Sequence, residues 1–271
     1  MISPSKTQDF RAAPGIENGV VSEFNNETKK LAKVMKDFSA SELSKMMKIS
    51  ENLAVLNYGR FQKWNGSFSK NMKKGEYNFK PCIFAFKGDV YHGFDLENYS
   101  KNDFKYAEKN LRIISGFYGL VTPMTFLKPY RLEMGTKISF EVSGKKYKNL
   151  YDFWAGKLTQ KIRGDLKKTK SKYILNLASV EYSKAIDLKA FGENVINVDF
   201  KVKKDGAEKI VAIFAKRQRG EMANWVIQNR VEKIEDLKKY KNAGFKYSAK
   251  STKEAREKTG EKNRLVFVWE N

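Results

Sequence analysis

The chain has 271 residues, of which 41% are hydrophobic and 13% aromatic, enough apolar surface for a folded core. It has no run of about 18 consecutive apolar residues and no apolar stretch at its N-terminus of signal-peptide length, which predicts a cytoplasmic protein without a membrane partner. Cys82 is the only cysteine and His92 the only histidine, which excludes an internal disulfide and a Cys- or His-rich metal site within one chain. We expect one domain over residues 1–271, with no cofactor and no bound metal.

The formal net charge of the chain is +22 at pH 7. Such a charge attracts polyanions, because each neutralised phosphate releases condensed counterions. Lysine supplies most of it, since only 10 of the 53 basic residues are arginine, and an ordinary solvated lysine-rich surface has the same composition. Arginine is the more specific signal because its guanidinium binds carboxylate or phosphate through two parallel hydrogen bonds. The arginines of interest are Arg60, Arg112, Arg131, Arg217, Arg219 and Arg230.

The first predicted elements are a very short strand at residues 1–4 and a mostly helical region at about 22–80. Apolar residues recur at helical spacing from Asn26 onward. Ser39 or Ser41 is placed to cap a second helix, and Ser50 to cap a third. This part of the chain is therefore predicted to be helical.

From Pro81 onward the apolar residues form continuous runs of strand length, typical of strands buried on both faces. Helices are predicted between several of these runs, at about 103–109, 150–166 and 222–230. The alternation predicts an α/β fold, with mixed α+β as the alternative, in which helices flank a central mixed sheet. The segment at about 247–264 is rich in Lys, Glu, Ser and Thr without an apolar period, and is predicted to be a mobile surface excursion. The predicted strands lie at 82–86, 111–114, 173–177, 195–202, 210–214 and 265–269.

The segment Leu111–Leu120 combines a buried strand with a glycine turn. Ser115, Gly116 and Gly119 follow the strand, and Arg112 lies within it. Backbone N–H groups and a hydroxyl at the carboxyl end of a strand suit a phosphate site. A simple tight turn is the more common explanation of such glycines.

Two further segments contain the residue types of an anion site. Arg131 and Glu133 project to the same face of an extended segment, where they form either part of a ligand site or an internal ion pair. Lys216, Arg217 and Arg219 follow a predicted strand and precede a predicted helix. Their donors are therefore expected to converge at a helix N-terminus, which is a favourable place for a phosphate.

Seven segments that span nearly the whole chain occur in a specific order. They are Ile2–Thr7 (ISPSKT), Ala85–Tyr91 (AFKGDVY), Leu111–Leu120 (LRIISGFYGL), Pro129–Gly135 (PYRLEMG), Tyr151–Trp154 (YDFW), Asn176–Ser179 (NLAS) with Tyr182, and Lys216–Gly220 (KRQRG). Together they resemble the YaaA family of peroxide-stress proteins.

The resemblance implies an unusual α/β fold with a helix-hairpin-helix element and a DNA-binding role. It also implies a cytoplasmic response to hydrogen peroxide that restrains intracellular iron and limits oxidative DNA damage. Two segments are candidates for the helix-hairpin-helix element. Gly116–Gly119 has one residue more than the Gly-hydrophobic-Gly signature, and Ser41–Trp64 lacks the glycines.

Two functional hypotheses follow from the sequence. The first is a protein that binds double-stranded DNA through its phosphates, independently of base sequence. The second is an enzyme acting on a nucleotide or modified base, with a small anionic ligand in a polar pocket at the sheet ends. The predicted DNA contacts are Lys87, Arg112, Lys216, Arg217 and Arg219. The predicted pocket residues are Ser3, Lys6, Ser115, Tyr118, Tyr130, Arg131, Glu133, Asn176 and Ser179. No known catalytic motif is present, so no catalytic residue is named.

Overall fold

The computed structural model describes residues 1–11, 19–68 and 79–270. Its helices are α1 (Asn25–Lys36), α2 (Ala40–Met47), α3 (Glu51–Lys63), α4 (Cys82–Ala85), α5 (Lys101–Asn110), α6 (Leu150–Trp154), α7 (Lys157–Thr169), α8 (Val180–Ser183), α9 (Ala212–Asn229), α10 (Ile234–Leu237) and α11 (Ala249–Thr259). Its strands are β1 (Thr7–Gln8), β2 (Lys80–Pro81), β3 (Phe86–Lys87), β4 (Ile113–Ser115), β5 (Gly119–Val121), β6 (Phe126–Leu127), β7 (Phe140–Val142), β8 (Lys145–Tyr147), β9 (Ile174–Asn176), β10 (Val195–Lys204), β11 (Ala207–Lys209), β12 (Lys241–Asn242), β13 (Phe245–Tyr247) and β14 (Arg264–Glu270). Short 3₁₀ turns lie at Tyr91–Gly93, Leu96–Asn98 and Leu188–Asn194.

The central sheet is mixed and is built around β10. Strand β10 pairs in parallel with β9 and with β14, and its last residues pair antiparallel with β11. Strands β13 and β12 continue the sheet antiparallel beyond β14. Helix α9 packs on β10 and helix α11 packs on β14. The predicted α/β fold with a mixed sheet flanked by helices is therefore confirmed.

The first residues of the chain lie between β9 and β4. Ile2 forms a parallel bridge to Ile113, and the Leu177 N–H donates to the Met1 carbonyl at 2.9 Å. The chain leaves this position at Ser3, close to where β9 ends at Asn176. Of the strand expected at residues 1–4, the structure has the single bridged residue Ile2, and the chain after it passes the carboxyl end of β9.

Helices α1, α2 and α3 form the N-terminal helical region, as predicted. Helix α2 begins with a capping box, in which Ser39 N–H donates to the Glu42 carboxylate at 2.8 Å while the Ser39 hydroxyl accepts from the Glu42 N–H. Helices α2 and α3 pack on each other, joined by the three-residue turn Lys48–Ser50, with Lys48 at φ 52°. We call this pair the α2–α3 hairpin. The predicted helical region is too long at its C-terminal end, because α3 ends at Lys63 and Lys80 lies in β2. Residues 69–78 lie outside the described residues.

Two of the predicted strands are wrong. Residues 82–85 form helix α4, with only Phe86 and Lys87 extended, and the run at 210–214 enters helix α9 at Ala212. Both runs are short and apolar, a pattern that fits a buried helix as well as a buried strand. In the second run, Ile213 is 59% exposed, so the apolar residues of this run do not indicate a buried strand or a buried helix.

Two predicted boundaries also differ from the structure. The segment predicted as a mobile surface excursion contains helix α11, which buries Ser251 and Thr252 against β14. Its contact with the sheet uses small hydroxyl side chains, which a search for apolar periodicity overlooks. The helix predicted at 150–166 is two helices, because Gly156 at φ 76° interrupts it.

Candidate polar site at the carboxyl ends of the strands

The loop that follows Ile2 contacts the loop that follows β9. The Ser179 N–H donates to the Ser3 hydroxyl at 2.9 Å, and the two hydroxyl oxygens are 3.3 Å apart. Tyr91 fixes the loop from another direction by donating its hydroxyl to the Ser3 carbonyl at 3.0 Å. The carboxyl ends of neighbouring strands are a common place for ligands in α/β proteins, and two residues predicted for a pocket meet here.

Three charged side chains meet beside this loop. Lys6 Nζ lies 2.6 Å from one oxygen of Glu133, and an Arg131 Nη lies 3.3 Å from the other. The Glu133 and Arg131 side chains are each about one-fifth exposed, and Lys6 is more than half exposed. The Arg131 Nε is buried and has no hydrogen-bond partner among the described residues. The predicted common orientation of Arg131 and Glu133 is confirmed, and it leaves part of the guanidinium unsatisfied.

Arg60 of helix α3 is close enough to Arg131 for their positive charges to repel, although it was not among the predicted pocket residues. Phe61, the next residue in the chain, packs on Phe117 with ring centroids 5.6 Å apart. Phe117 in turn stacks on Tyr130, the residue before Arg131, with ring centroids 5.3 Å apart. Burial lowers the pKa of Arg60, and the positive charge of Arg131 lowers it further. The available sequence signal was the use of arginine in a lysine-rich chain. Its proximity to Arg131 depends on the fold.

We call these six side chains the polar cluster: Ser3, Lys6, Arg60, Arg131, Glu133 and Ser179.

Three other predicted pocket residues, Ser115, Tyr118 and Tyr130, are buried and bonded to one another. The Ser115 hydroxyl lies 2.7 Å from the Tyr130 hydroxyl and accepts from the N–H groups of Phe117 and Tyr118. Burial raises the pKa of Tyr130, which remains a neutral phenol. We call these residues the Ser115 network. It closes the turn between β4 and β5, so the tight-turn interpretation of the glycines is confirmed and a phosphate at this turn is not favoured.

Asn176, the last of the predicted pocket residues, orders the loop after β9. Its side-chain amide donates to Asn197 Oδ1 at 2.8 Å, and its oxygen accepts from the Ala178 N–H at 3.2 Å. Both functional groups are thus used inside the protein. Asn176 positions the loop that presents Ser179.

The basic residues of α9 do not lie at a helix N-terminus, and that prediction is wrong. Helix α9 begins at Ala212, which places Lys216, Arg217 and Arg219 in its second and third turns. Arg217 is exposed and pairs with Glu221 at 2.8 Å. Arg219 is mostly buried, and burial lowers its pKa. The start of α9 was predicted too late in the chain, because the apolar run at 210–214 was assigned to a strand.

Lys87 and the exposed residues of α9 lie near the same contact. A side chain at Gly220 would overlap the Val90 carbonyl, so α9 packs directly on the segment that follows Lys87. Lys87 is exposed and pairs with Thr7 in the β1–β3 ladder, next to Lys6. Lys6, Lys87 and Lys216 therefore come from three distant segments that pack together.

Arg112 lies inside an ion-pair cluster. Its Nε donates to Asp165 at 2.6 Å, and its Nη1 donates to the backbone carbonyls of Glu108 and Leu111. Lys161 lies 2.8 Å from the other oxygen of Asp165. Burial would raise the pKa of Asp165, but its hydrogen bonds to Arg112 and Lys161 outweigh burial, so the pKa lies below its ordinary value. Arg112 stabilises the fold instead of presenting an exposed guanidinium to DNA.

Two grooves of about 520 and 710 Å³ lie elsewhere on the protein. Both have Arg112 and Asp165 among their lining residues. Neither is lined by any of the nine predicted pocket residues.

Across residues 1–11, 19–68 and 79–270, no helix has both the length and the hydropathy to cross a membrane.

All seven sequence segments that carry the family resemblance belong to one contact network. The segment Ile2–Thr7 contacts Ala85–Tyr91, Pro129–Gly135 and Asn176–Ser179. The remaining three are joined through Tyr130 to Ser115, through Trp154 to Gly116, and through Gly220 to Val90. The segments that carry the resemblance are therefore neighbours in the fold, although they come from most of the chain length.

Comparison with known proteins shows which family the chain belongs to. The family model described as peroxide stress protein YaaA matches residues 1–251. A UPF0246 protein of Acaryochloris marina (strain MBIC 11017) is 41% identical over 245 residues, covering 90% of this chain and 92% of the relative. A UPF0246 protein of Clostridium botulinum (strain Alaska E43 / Type E3) is 39% identical over an aligned length of 274 residues, covering 100% of this chain and 99% of the relative. The chain therefore belongs to the YaaA (UPF0246) family of peroxide stress proteins.

Proposed function

We propose that this chain is a cytoplasmic DNA-binding protein of the peroxide-stress response that limits oxidative DNA damage. The observation that carries the proposal is the α2–α3 hairpin, whose connecting turn begins with the exposed Lys48 and follows the exposed Lys45 of α2. Of the two segments considered for a helix-hairpin-helix element, Gly116–Gly119 lies in the turn of a β-hairpin. The segment Ser41–Trp64 spans the α2–α3 hairpin, which supports it as the DNA-binding element.

The start of helix α3 is suited to a backbone phosphate. Ser50 is its N-cap residue but its side chain makes no capping hydrogen bond, so the first N–H groups of this 13-residue helix keep their donor capacity. The positive end of the helix dipole lies at the same place. Lys45 and Lys48 flank the turn and are exposed. Together these groups favour binding to phosphate, without contact to base edges and hence without sequence specificity.

Lys87, Lys216 and Arg217 supply a second group of proposed DNA contacts. All three are exposed, and the segments that carry them pack together, because Gly220 of α9 lies against Val90. Arg217 shares its charge with Glu221, so its contribution is smaller than that of an unpaired arginine. In the proposal, any effect on iron is indirect, since in the part of the chain that the structure describes no group of three His, Cys, Asp or Glu residues is placed to hold a metal ion.

The test is fluorescence anisotropy with a labelled DNA duplex over a series of salt concentrations. We expect Lys45→Ala/Lys48→Ala to weaken binding and to reduce the log–log salt slope by about 0.9 for each phosphate that the variant no longer neutralises. The control is Lys250→Ala/Lys253→Ala on helix α11, which removes the same charge from exposed positions. Equal weakening in the two variants would show that only total charge matters and would contradict the role of the hairpin.

Glu51 provides a variant with the opposite expected effect. It is exposed in the first turn of α3, where its carboxylate repels a phosphate at the helix start. We expect Glu51→Gln to tighten DNA binding, with the anisotropy titration as the measurement. Loss of affinity in a folded Glu51→Gln protein would contradict the proposed position of the phosphate.

A further inference from the structure

The polar cluster has an excess of positive charge that the protein itself does not neutralise. Lys6 and Arg131 share one carboxylate, that of Glu133. Arg60 adds a third positive charge, and its contact within α3 is a hydrogen bond to the neutral Asn57 side chain at 3.2 Å. The Arg131 side chain is about one-fifth exposed and Arg60 is half-buried. This excess of positive charge therefore costs more free energy than the same charges on an open surface.

The hydrogen-bonding groups of the cluster are also incompletely used. The Arg131 Nε is buried without a partner among the described residues, although a guanidinium offers five N–H donors. Buried polar groups in folded proteins nearly always have partners, so an orphaned donor calls for an explanation. A bound anion supplies both the missing acceptor and the missing negative charge.

From these observations we propose that Arg60, Arg131 and Lys6 form a binding subsite for a phosphate monoester group. A monoester dianion matches the net charge of three cations and one carboxylate, and its oxygens suit the planar donors of two arginines. The group comes either from a free nucleotide or from the 5′ end of a DNA strand. The inference does not depend on DNA binding by the α2–α3 hairpin.

Glu133 has a distinctive role in this arrangement. Without a ligand its carboxylate accepts the donors of Lys6 and Arg131, as an internal substitute for the anion. A phosphate must compete with it for those donors. Replacing Glu133 with glutamine therefore removes repulsion and competition together, and is expected to strengthen anion binding.

The test is isothermal titration calorimetry with inorganic phosphate and with thymidine 5′-monophosphate at fixed ionic strength. We expect Arg131→Gln and Arg60→Gln each to weaken binding by at least about tenfold, the loss of one charge-assisted hydrogen bond. Glu133→Gln is expected to tighten binding several-fold. The matched control is Arg230→Gln, which removes a partly exposed arginine that is also paired with a carboxylate, that of Asp103, and is expected to leave phosphate binding unchanged.

A second arm identifies the source of the phosphate by comparing DNA duplexes with and without a 5′-phosphate. A preference for the phosphorylated duplex that is abolished in Arg131→Gln assigns the site to strand ends, whereas nucleotide binding without that preference assigns it to a free nucleotide. Either result supports the subsite. Circular dichroism shows whether each variant folds, and if Arg131→Gln does not, Arg60→Gln and Glu133→Gln provide the test. The proposal is overturned if folded variants bind every phosphate probe as the native chain does, or if Glu133→Gln weakens binding. Normal DNA binding by Lys45→Ala/Lys48→Ala would contradict DNA binding by the α2–α3 hairpin and would leave the phosphate subsite unaffected.

Discussion

Two arginine clusters of this protein differ in how completely their charges are balanced. Arg112 and Lys161 face Asp165 at 2.6 and 2.8 Å, Glu23 adds a second carboxylate to Lys161, and Arg112 donates to two backbone carbonyls as well. In the polar cluster, Lys6 and Arg131 share the single carboxylate of Glu133, Arg60 adds a third positive charge, and the buried Arg131 Nε has no partner in the described residues. Both clusters use arginine in a lysine-rich chain.

The comparison separates arginine used for stability from arginine available to a ligand. A buried ion pair whose donors and acceptors all have partners stabilises the fold, and removing one partner leaves the other as an uncompensated buried charge. A cluster with surplus charge and open donors gains most when an anion binds. Arginine content alone does not distinguish the two cases, and charge balance does.

The largest expected effect comes from breaking the balanced cluster. We expect Arg112→Gln to lower the free energy of unfolding by about 3–5 kcal/mol, because Asp165 then keeps only Lys161 as a partner. Arg131→Gln is expected to change it by less than about 1 kcal/mol in the absence of phosphate, since it relieves an excess of positive charge. Urea unfolding followed by circular dichroism measures both. Similar destabilisation of the two variants would remove the distinction between the clusters.

An intermediate effect is expected in the Ser115 network. Ser115→Ala leaves the Tyr130 hydroxyl and the N–H groups of Phe117 and Tyr118 buried without their acceptor. We expect this to cost about 1–3 kcal/mol of unfolding free energy. Ser179→Ala, in the polar cluster, serves as the control, because the half-buried Ser179 contacts Ser3 through a longer hydrogen bond. A larger destabilisation by Ser179→Ala than by Ser115→Ala would reverse the assigned roles.

The smallest expected effect belongs to Lys6→Ala. The lysine side chain is more than half exposed, so its ion pair with Glu133 is screened by water and contributes about 0–1 kcal/mol. Unfolding measurements are therefore expected to give a value close to that of the native chain, while phosphate binding in calorimetry is weakened. A destabilisation of several kcal/mol would mean that Lys6 is part of the structural framework instead of the ligand subsite.

Much of the fold followed from local sequence patterns. The strands β4, β9, β10 and β14 lie where continuous apolar runs predicted them, because those runs are bounded by polar or glycine-containing segments. The cap of α2 at Ser39 followed from the preference of serine for that position. The runs at 82–86 and 210–214 were assigned to the wrong element, since a short apolar run does not distinguish a helix from a strand.

The sequence by itself determined the class of fold, the family and the residue types of the site, because these depend on composition, local periodicity and the order of motifs. Only the tertiary structure decided which arginines are neutralised. Arg112 meets Asp165 across 53 positions of the chain, and the packing of Phe61 on Phe117 brings the Arg60 charge close enough to Arg131 for the two to repel. Charge balance is a property of groups brought together by folding, and local spacing contains no record of it.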